Sequence, residues 1–393
     1  MLTKSSSCAS PGTDNQDMSV PARRTWVEVS RVQLAENFRA VRQAVGPAVD
    51  VLAVVKADAY GHGAVEVSRI LVNEGARWLG VSNWDEAVVL RRAGIEARIL
   101  IMADSLPQTP DLLAGHGLTP VVHSLEDLRE LERRSAAWGM RVHFHLKLDT
   151  GMSRLGTSAS ADEIAQTLAS CRHAELEGIM THFASAADYS SPQTDEQSER
   201  FNQVVESLRK AGVEPEWVHL ASSNPVAYGR RAAFGNMVRV GHALYGYVSP
   251  AKGDAPPKIL HVKPALSWKA AILSVKDLTV GALVGYGGTF RAGRPTRAAV
   301  LAAGYADGVP HRLSNRGKVI AGGRLAPVIG AVSMDLTSID ITDTPWLKAG
   351  DAVTILGREN GLELNAQQIA RWAGTISYVV LCGISSRVPR VYF

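Results

Sequence analysis

Between residues 51 and 240, short apolar runs alternate with stretches whose apolar residues recur at helical spacing. The runs Val51–Val55, Trp78–Ser82, Ile99–Ala103, Thr119–Val122, Val142–Leu148, Leu176–Thr181, Trp217–Ala221 and Met237–Val240 are largely apolar and rich in β-branched residues. That is the pattern of strands buried on both faces of a parallel sheet. Segments such as Ala64–Ala76, Leu125–Trp138, Ala161–Ser170 and Glu196–Lys210 lie between them and read as amphipathic helices. Eight strand–helix units in about 220 residues suit a (β/α)8 barrel, which typically takes ~250. An open doubly wound sheet is the alternative, but the G-x-G-x-x-G it usually carries after its first strand is absent.

The pattern changes after Tyr247. Ser249–Pro257 reads as a linker by its Pro and Gly content. Beyond it, strand-like runs fall at Ala271–Val275, Ala298–Ala303, Ala352–Leu356 and Val379–Ser385, with one short helix at Ala366–Trp372. The expected fold class is therefore α/β: an N-terminal (β/α)8 TIM-type barrel over residues 24–260, followed by a mostly β C-terminal domain over residues 261–393. Trp26–Val29, inside a first strand at residues 25–30, alternates in polarity and is free to pair with that second domain. Residues 1–23 hold almost nothing to bury and read as a disordered tail.

Composition narrows the classes. The chain is 46% hydrophobic and 20% charged, ordinary for a soluble globular enzyme. A net charge of +4 without a long Lys/Arg run implies no nucleic acid partner. No apolar stretch reaches the ~18 residues of a membrane span, and the tail lacks the apolar core of a signal peptide. Cys8, Cys171 and Cys382 are odd in number and far apart, which fits a reduced cytoplasm rather than a disulfide framework or a zinc site.

The chemistry concentrates where strands end. Lys56 follows the first core strand, at the end where α/β folds place their sites. Burial there lowers a lysine's pKa from ~10.4 and yields a neutral amine able to attack a carbonyl. A lysine snorkelling to solvent is an equal reading of the pentapeptide alone. Tyr60-Gly61-His62-Gly63 then adds a hydroxyl and backbone donors beside it. By the same strand-end rule Lys147, Asp149 and Arg154 follow the fifth strand, His182 the sixth, Ser222 and Ser223 the seventh, Arg239 and Gly241 the eighth. Barrels often bind phosphate after strands seven and eight, where Ser223 and the amides around Gly241 fall. A Schiff-base lysine and a phosphate site together suggest pyridoxal 5'-phosphate. Asp149-Thr150-Gly151 matches the aspartic-protease triplet, but that chemistry needs a second carboxylate motif, which is absent. His143 and His145 share a strand face with Lys147; without further ligands they read as core histidines, not as a metal pair.

The stretch Ala53-Val-Val-Lys-Ala-Asp-Ala-Tyr-Gly-His-Gly63 resembles the cofactor-lysine motif of bacterial alanine racemases. The likeness continues through His145–Gly156, Thr181–Ala184, Met237–Gly246, Val284–Thr289, Gly304–Gly308, Ser333–Asp335 and Arg387–Pro389. The resemblance implies a barrel that binds pyridoxal phosphate, a C-terminal β domain, and a head-to-tail homodimer with active sites shared between subunits. It implies an isomerase of the L-/D-alanine type, feeding cell-wall peptides, with Lys56 and the partner subunit's Tyr286 as its two acid/base groups. By the same resemblance His182 and Arg239 stand behind Tyr286, and Arg239 faces the cofactor's pyridine nitrogen. Arg154 and the Met334 backbone amide take the substrate carboxylate, Tyr60, Ser223, Gly241 and His242 surround the phosphate, and Lys147 carries a carbamate. Tyr305 and Asp335, in two of the matching motifs, are expected in supporting places.

Other readings are a pyridoxal-dependent decarboxylase of basic amino acids, which would usually place an acid where Arg239 stands, and a non-catalytic cofactor carrier. The family commonly has a tyrosine at the position of Ser386, an acid and an arginine at those of Ala187 and Ala331, and an aliphatic residue at that of His242. Ser386 in place of a gating ring implies a wider substrate range, with serine or larger amino acids beside alanine.

Overall fold

A computed structural model describes residues 23–393 except 108 and 110. Cys8 and all but the last residue of the expected tail lie outside the described residues. The eight apolar runs become parallel strands: β2 (Asp50–Val54), β3 (Trp78–Val81), β4 (Arg98–Ile101), β5 (Leu118–Val122), β6 (Val142–Lys147), β7 (Ala174–Met180), β8 (Trp217–His219) and β9 (Met237–Val240). They pair in the order β8-β7-β6-β5-β4-β3-β2-β9. Asn236 N donating to Val218 O and Arg239 N donating to Ala221 O bring β9 back beside β8 and close the ring. Leu52, Leu79, Ile99 and Phe144 are buried completely, so the barrel is a packed core with its chemistry at the strand ends.

Local signals set the surrounding helices. Ser124 caps Leu125–Trp138 by accepting from Asp127 N, and Gly139 ends it in the left-handed conformation. Ser160 and Glu163 form a capping box at the start of Ala161–Ala169. Helices Arg31–Val45 and Trp84–Arg92, capped by Ser30 and Asn83, complete the outer layer near the first strands.

The second sheet is built on β10 (Leu266–Leu278), which pairs with Ala352–Glu359 and Thr296–Leu301. A first strand, β1 (Thr25–Val29), pairs antiparallel with β10 and parallel with Arg390–Tyr392. The run Val379–Ser385 is not a strand: Ser377–Cys382 is a second helix beside Ala366–Ala373. Val380 and Leu381 are buried while Val379 is 55% exposed, a helical distribution that a short apolar run does not declare by itself. That helix packs against the turn after β2, so the C-terminal region reaches the barrel's mouth.

His145 is a core residue, as its strand position predicts, but His143 is exposed, 3.5 Å from Glu175. The pairing register shifts between Phe144 and His145, so the two need not share an environment. Among the described residues no helix is long and apolar enough to cross a membrane.

Candidate active site

Directly after β2 the chain enters a left-handed turn. Ala57, Asp58, Ala59 and Tyr60 all have φ between +51° and +53°. Each such residue costs ~1–2 kcal/mol, and the surroundings hold the turn from several sides. Glu86 Oε1 accepts from Ala57 N at 2.7 Å, and Asp58 Oδ1 accepts from Ala64 N at 2.7 Å. Arg390 donates to Gly61 O at 3.1 Å, and the Tyr392 hydroxyl donates to His62 O at 2.9 Å. The last strand thus clamps the turn that carries Lys56 and Tyr60.

Lys56 and Tyr60 line a cavity of about 960 Å³ at the C-terminal ends of the barrel strands. Lys147, Arg154 and His182 line it from the next strand ends, and Ser223, Arg239, Gly241 and His242 close its floor and far side. Its cations outnumber its acids, with Lys252 at the rim and Asp188 as the acid among the lining residues. Burial lowers the Lys56 pKa and nearby Arg154 lowers it further. Lys147 is pushed down to about 8 by burial, then by Arg239 and Arg154. Such a cavity favours anions and lowers the pKa of both amines.

Arg239 is buried and spends its donors on protein. It gives hydrogen bonds to Thr181 O (2.6 Å), His219 O (2.7 Å) and Leu220 O (3.0 Å). It also meets His182 Nδ1 at 3.2 Å and His219 Nδ1 at 3.1 Å. Burial brings its pKa down to about 9, still charged at neutrality. His182 is held near 3 by burial and then by Arg239, so it is a neutral imidazole.

On the other side, Ser223 Oγ accepts from Gly241 N at 3.3 Å and Ala243 N at 3.2 Å. A Cβ on Gly241 would lie 2.5 Å from the Tyr60 hydroxyl, so glycine lets that hydroxyl rest against the backbone. His242 stacks on Tyr378 at 3.9 Å, and its Nε2 lies 3.1 Å from Ser377 Oγ. Its buried Nδ1 has no partner.

Tyr286, Met334 and Tyr305 are 78%, 54% and 46% exposed, and neither they nor Asp335 line the cavity. Met334 and Tyr305 are stitched together, since Ser333 O and Met334 O accept from Tyr305 N and Ala306 N. Asp335 pairs with Arg387 at 2.6 Å. Asp149 is occupied as well: its Oδ1 accepts from Gly151, Met152 and Ser153 amides, a turn clamp and not an acid/base pair. Ala187 lines the cavity rim, whereas Ser386 is exposed and Ala331 sits beside Gly285, both outside the lining. Tyr378 also lines the cavity, and His219 lies behind it against Arg239; neither is among the sequence candidates, although His219 ends β8.

Residues 29–250 match the profile described as alanine racemase, N-terminal domain, and residues 265–392 match alanine racemase, C-terminal domain. The chain belongs to the alanine racemase family. The family's alanine racemase from Symbiobacterium thermophilum is 40% identical over 371 residues, covering 94% of this chain and 97% of that one. The one from Halothermothrix orenii is 39% identical, covering 94% and 97%. Among solved structures of the family, alanine racemase from D-cycloserine producing Streptomyces lavendulae superposes with a TM-score of 0.86 at 32% identity, covering 94% and 97%. Alanine racemase from Bartonella henselae, with covalently bound pyridoxal phosphate, gives 0.83 at 28%, covering 94% and 99%.

The residues present fit that cofactor. A lysine whose pKa is lowered by burial suits its carbonyl, a cationic cavity suits its phosphate, and the Ser223–Gly241–Tyr60 cradle with His242 Nδ1, unpartnered among the described residues, offers polar groups at one end.

Proposed function

We propose that this chain is a pyridoxal-phosphate-dependent isomerase that interconverts L- and D-alanine in the cytoplasm, as a homodimer with shared sites. Lys56 carries the reading: it is a partly buried amine with a lowered pKa, lining a cationic cavity, on a turn clamped by Glu86 and by Arg390 and Tyr392 of the last strand. The proposed division gives the cofactor to residues 24–260 and the second base to residues 261–393.

Pyridoxal phosphate, when bound, supplies a carbonyl for an amine and an electron sink for an α-carbanion. Tyr60, Ser223, the Gly241 amide and His242 would hold its phosphate. Arg239 stays charged at neutrality and would leave a ring nitrogen that faced it unprotonated. Racemisation needs one acid/base group on each face of the α-carbon. Lys56 takes one face, and Tyr286 of a second copy takes the other. A tyrosine of pKa ~10 is a poor base alone; neutral His182 backed by cationic Arg239 gives it a polarised hydrogen-bond partner. Arg154 and the Met334 amide orient the substrate carboxylate. Lys147, neutral near pH 8, adds to carbon dioxide with loss of one proton, and the resulting carbamate holds Arg154. Tyr305 and Asp335 support the Met334 loop.

Purified protein loaded with pyridoxal phosphate should bring L-alanine and D-alanine to equal amounts, read by chiral chromatography. Carbon dioxide and an amine as products would favour the decarboxylase reading instead, and neither change would favour the carrier. Ala187 at the rim leaves room for serine, so a serine arm in the same assay tests the wider range.

A further inference from the structure

Arg239 is also the upper end of a polar chain that runs down through the barrel interior. His219 Nδ1 lies 3.1 Å from Arg239 Nη1, and His219 Nε2 lies 2.9 Å from His145 Nδ1. His145 Nε2 stands 3.5 Å from Glu177 Oε2, an ion-pair contact too loose to be a hydrogen bond, and among the described residues neither atom has a hydrogen-bond partner. The other Glu177 oxygen accepts from Arg98, whose guanidinium stacks 4.0 Å from the centre of the Trp78 ring. Both histidines are fully buried and Glu177 is 7% exposed. Space for the chain is built into β7: a Cβ on Gly178 would fall 2.6 Å from the His145 ring.

The chain has only one consistent sense. A guanidinium donates and never accepts, so His219 must present a bare Nδ1 to Arg239 and carry its proton on Nε2. That N–H donates to His145 Nδ1, which places the His145 proton on Nε2. It then faces a carboxylate, which only accepts when ionised. Burial and the arginine keep His219 neutral, burial lowers His145, and His145 and Arg98 outweigh burial to hold Glu177 down to about 2.

We propose that Arg98, Glu177, His145 and His219 form a directional polar chain, hydrogen-bonded except for the looser Glu177–His145 ion-pair contact, that fixes the tautomer facing Arg239, making them positioning residues for the cofactor site. Arg239 and Glu177 call for the same sense from the two ends of the chain, and Arg98 holds Glu177. The effect on catalysis rests on the proposed role of Arg239, but the tautomers themselves are a property of the protein alone.

Glu177→Gln sets the two ends against each other, and Arg239 Nη1 keeps His219 O, at 2.7 Å, as an acceptor when the imidazole lone pair turns away. Arg98 would attract the amide oxygen, turning the NH2 group toward His145 Nε2. His145 would then have to accept there and carry its proton on Nδ1, and His219 would follow. An N–H would meet Arg239 in place of a lone pair. Removing Arg98 as well frees the amide to turn its oxygen back to His145, and methionine keeps an apolar stem over Trp78.

The test is nitrogen-15 NMR of histidine-labelled, cofactor-loaded protein, with alanine turnover measured alongside. Wild type should show Nε2–H for both His145 and His219. E177Q should show Nδ1–H for both, with unchanged cofactor occupancy and kcat lower by about tenfold, the rate equivalent of one lost hydrogen bond. The double variant R98M/E177Q should return both tautomers and most of kcat. An Nδ1 proton on either histidine in wild type overturns the proposal without any variant. So does E177Q with wild-type tautomers, or a double variant no better than E177Q. Altered tautomers with unchanged kcat would leave the chain real but detach it from catalysis, overturning the positioning role.

Discussion

Lys56 and Tyr286 belong to one chain but not to one cavity: Lys56 lines the barrel's mouth, while Tyr286 is 78% exposed and lines none of it. Met334 and Tyr305 share that exposure. In the proposed homodimer a second copy would cover these three exposed side chains and complete the site.

Tyr286→Phe should leave the cofactor bound and slow alanine racemisation in both directions by ~10²–10⁴-fold, the usual contribution of a general acid–base group. Proton exchange with solvent should become unequal between the two enantiomers, because one face keeps its base. Equal and fast exchange from both would contradict a two-base scheme.

Lys56→Ala should abolish turnover and the near-visible absorbance of the loaded protein. Lys147, the other amine of low pKa in the cavity, sits on β6 and does not follow the turn that carries Tyr60. Turnover retained without added amine would contradict the assignment.

Gly241→Ala should weaken pyridoxal phosphate binding by about tenfold, ~1.4 kcal/mol. Its added methyl would lie 2.5 Å from the Tyr60 hydroxyl and displace it from the cradle. Equilibrium dialysis of the cofactor-free protein reads this directly; unchanged affinity would mean the cradle does not hold the phosphate.

Acid should destabilise the protein before carboxylates titrate. Burial holds His62 near 4, and His182 and His242 near 3. The unfolded chain, with histidine pKa ~6.5, then binds protons that the folded chain refuses. Their stabilising contribution is complete above about pH 6.5 and is lost as pH falls toward those folded values, with a slope approaching ~1.4 kcal/mol per pH unit for each histidine. Thermal melts between neutral pH and about pH 4.5 should show Tm falling throughout; a flat Tm would mean these imidazoles are protonated when folded.

The barrel was legible because its eight strands are buried on both faces, so each reads as an apolar run with little help from its neighbours. Lys56, Lys147 and Arg239 were legible for the same reason, as charges at the ends of such runs. Ser377–Cys382 was not, because its helical face is defined by the turn it packs against rather than by its six residues. His143 was misplaced by a register shift that alternation does not reveal. Glu177 looked like an ordinary strand residue; only the fold brings it to His145 and Arg98 across the barrel. The left-handed turn at Ala57–Tyr60 left no trace in composition, since none of its four residues is a glycine.

In the proposed mechanism Lys56 of one copy and Tyr286 of another make one site. Lys56→Ala and Tyr286→Phe homodimers should each be nearly inactive. Mixed, unfolded and refolded together, they should recover up to about one quarter of wild-type activity. Random pairing makes half of the dimers mixed, and each mixed dimer has one intact site of two. Activity no greater than the sum of the separate variants, in samples shown to contain mixed dimers, would contradict it.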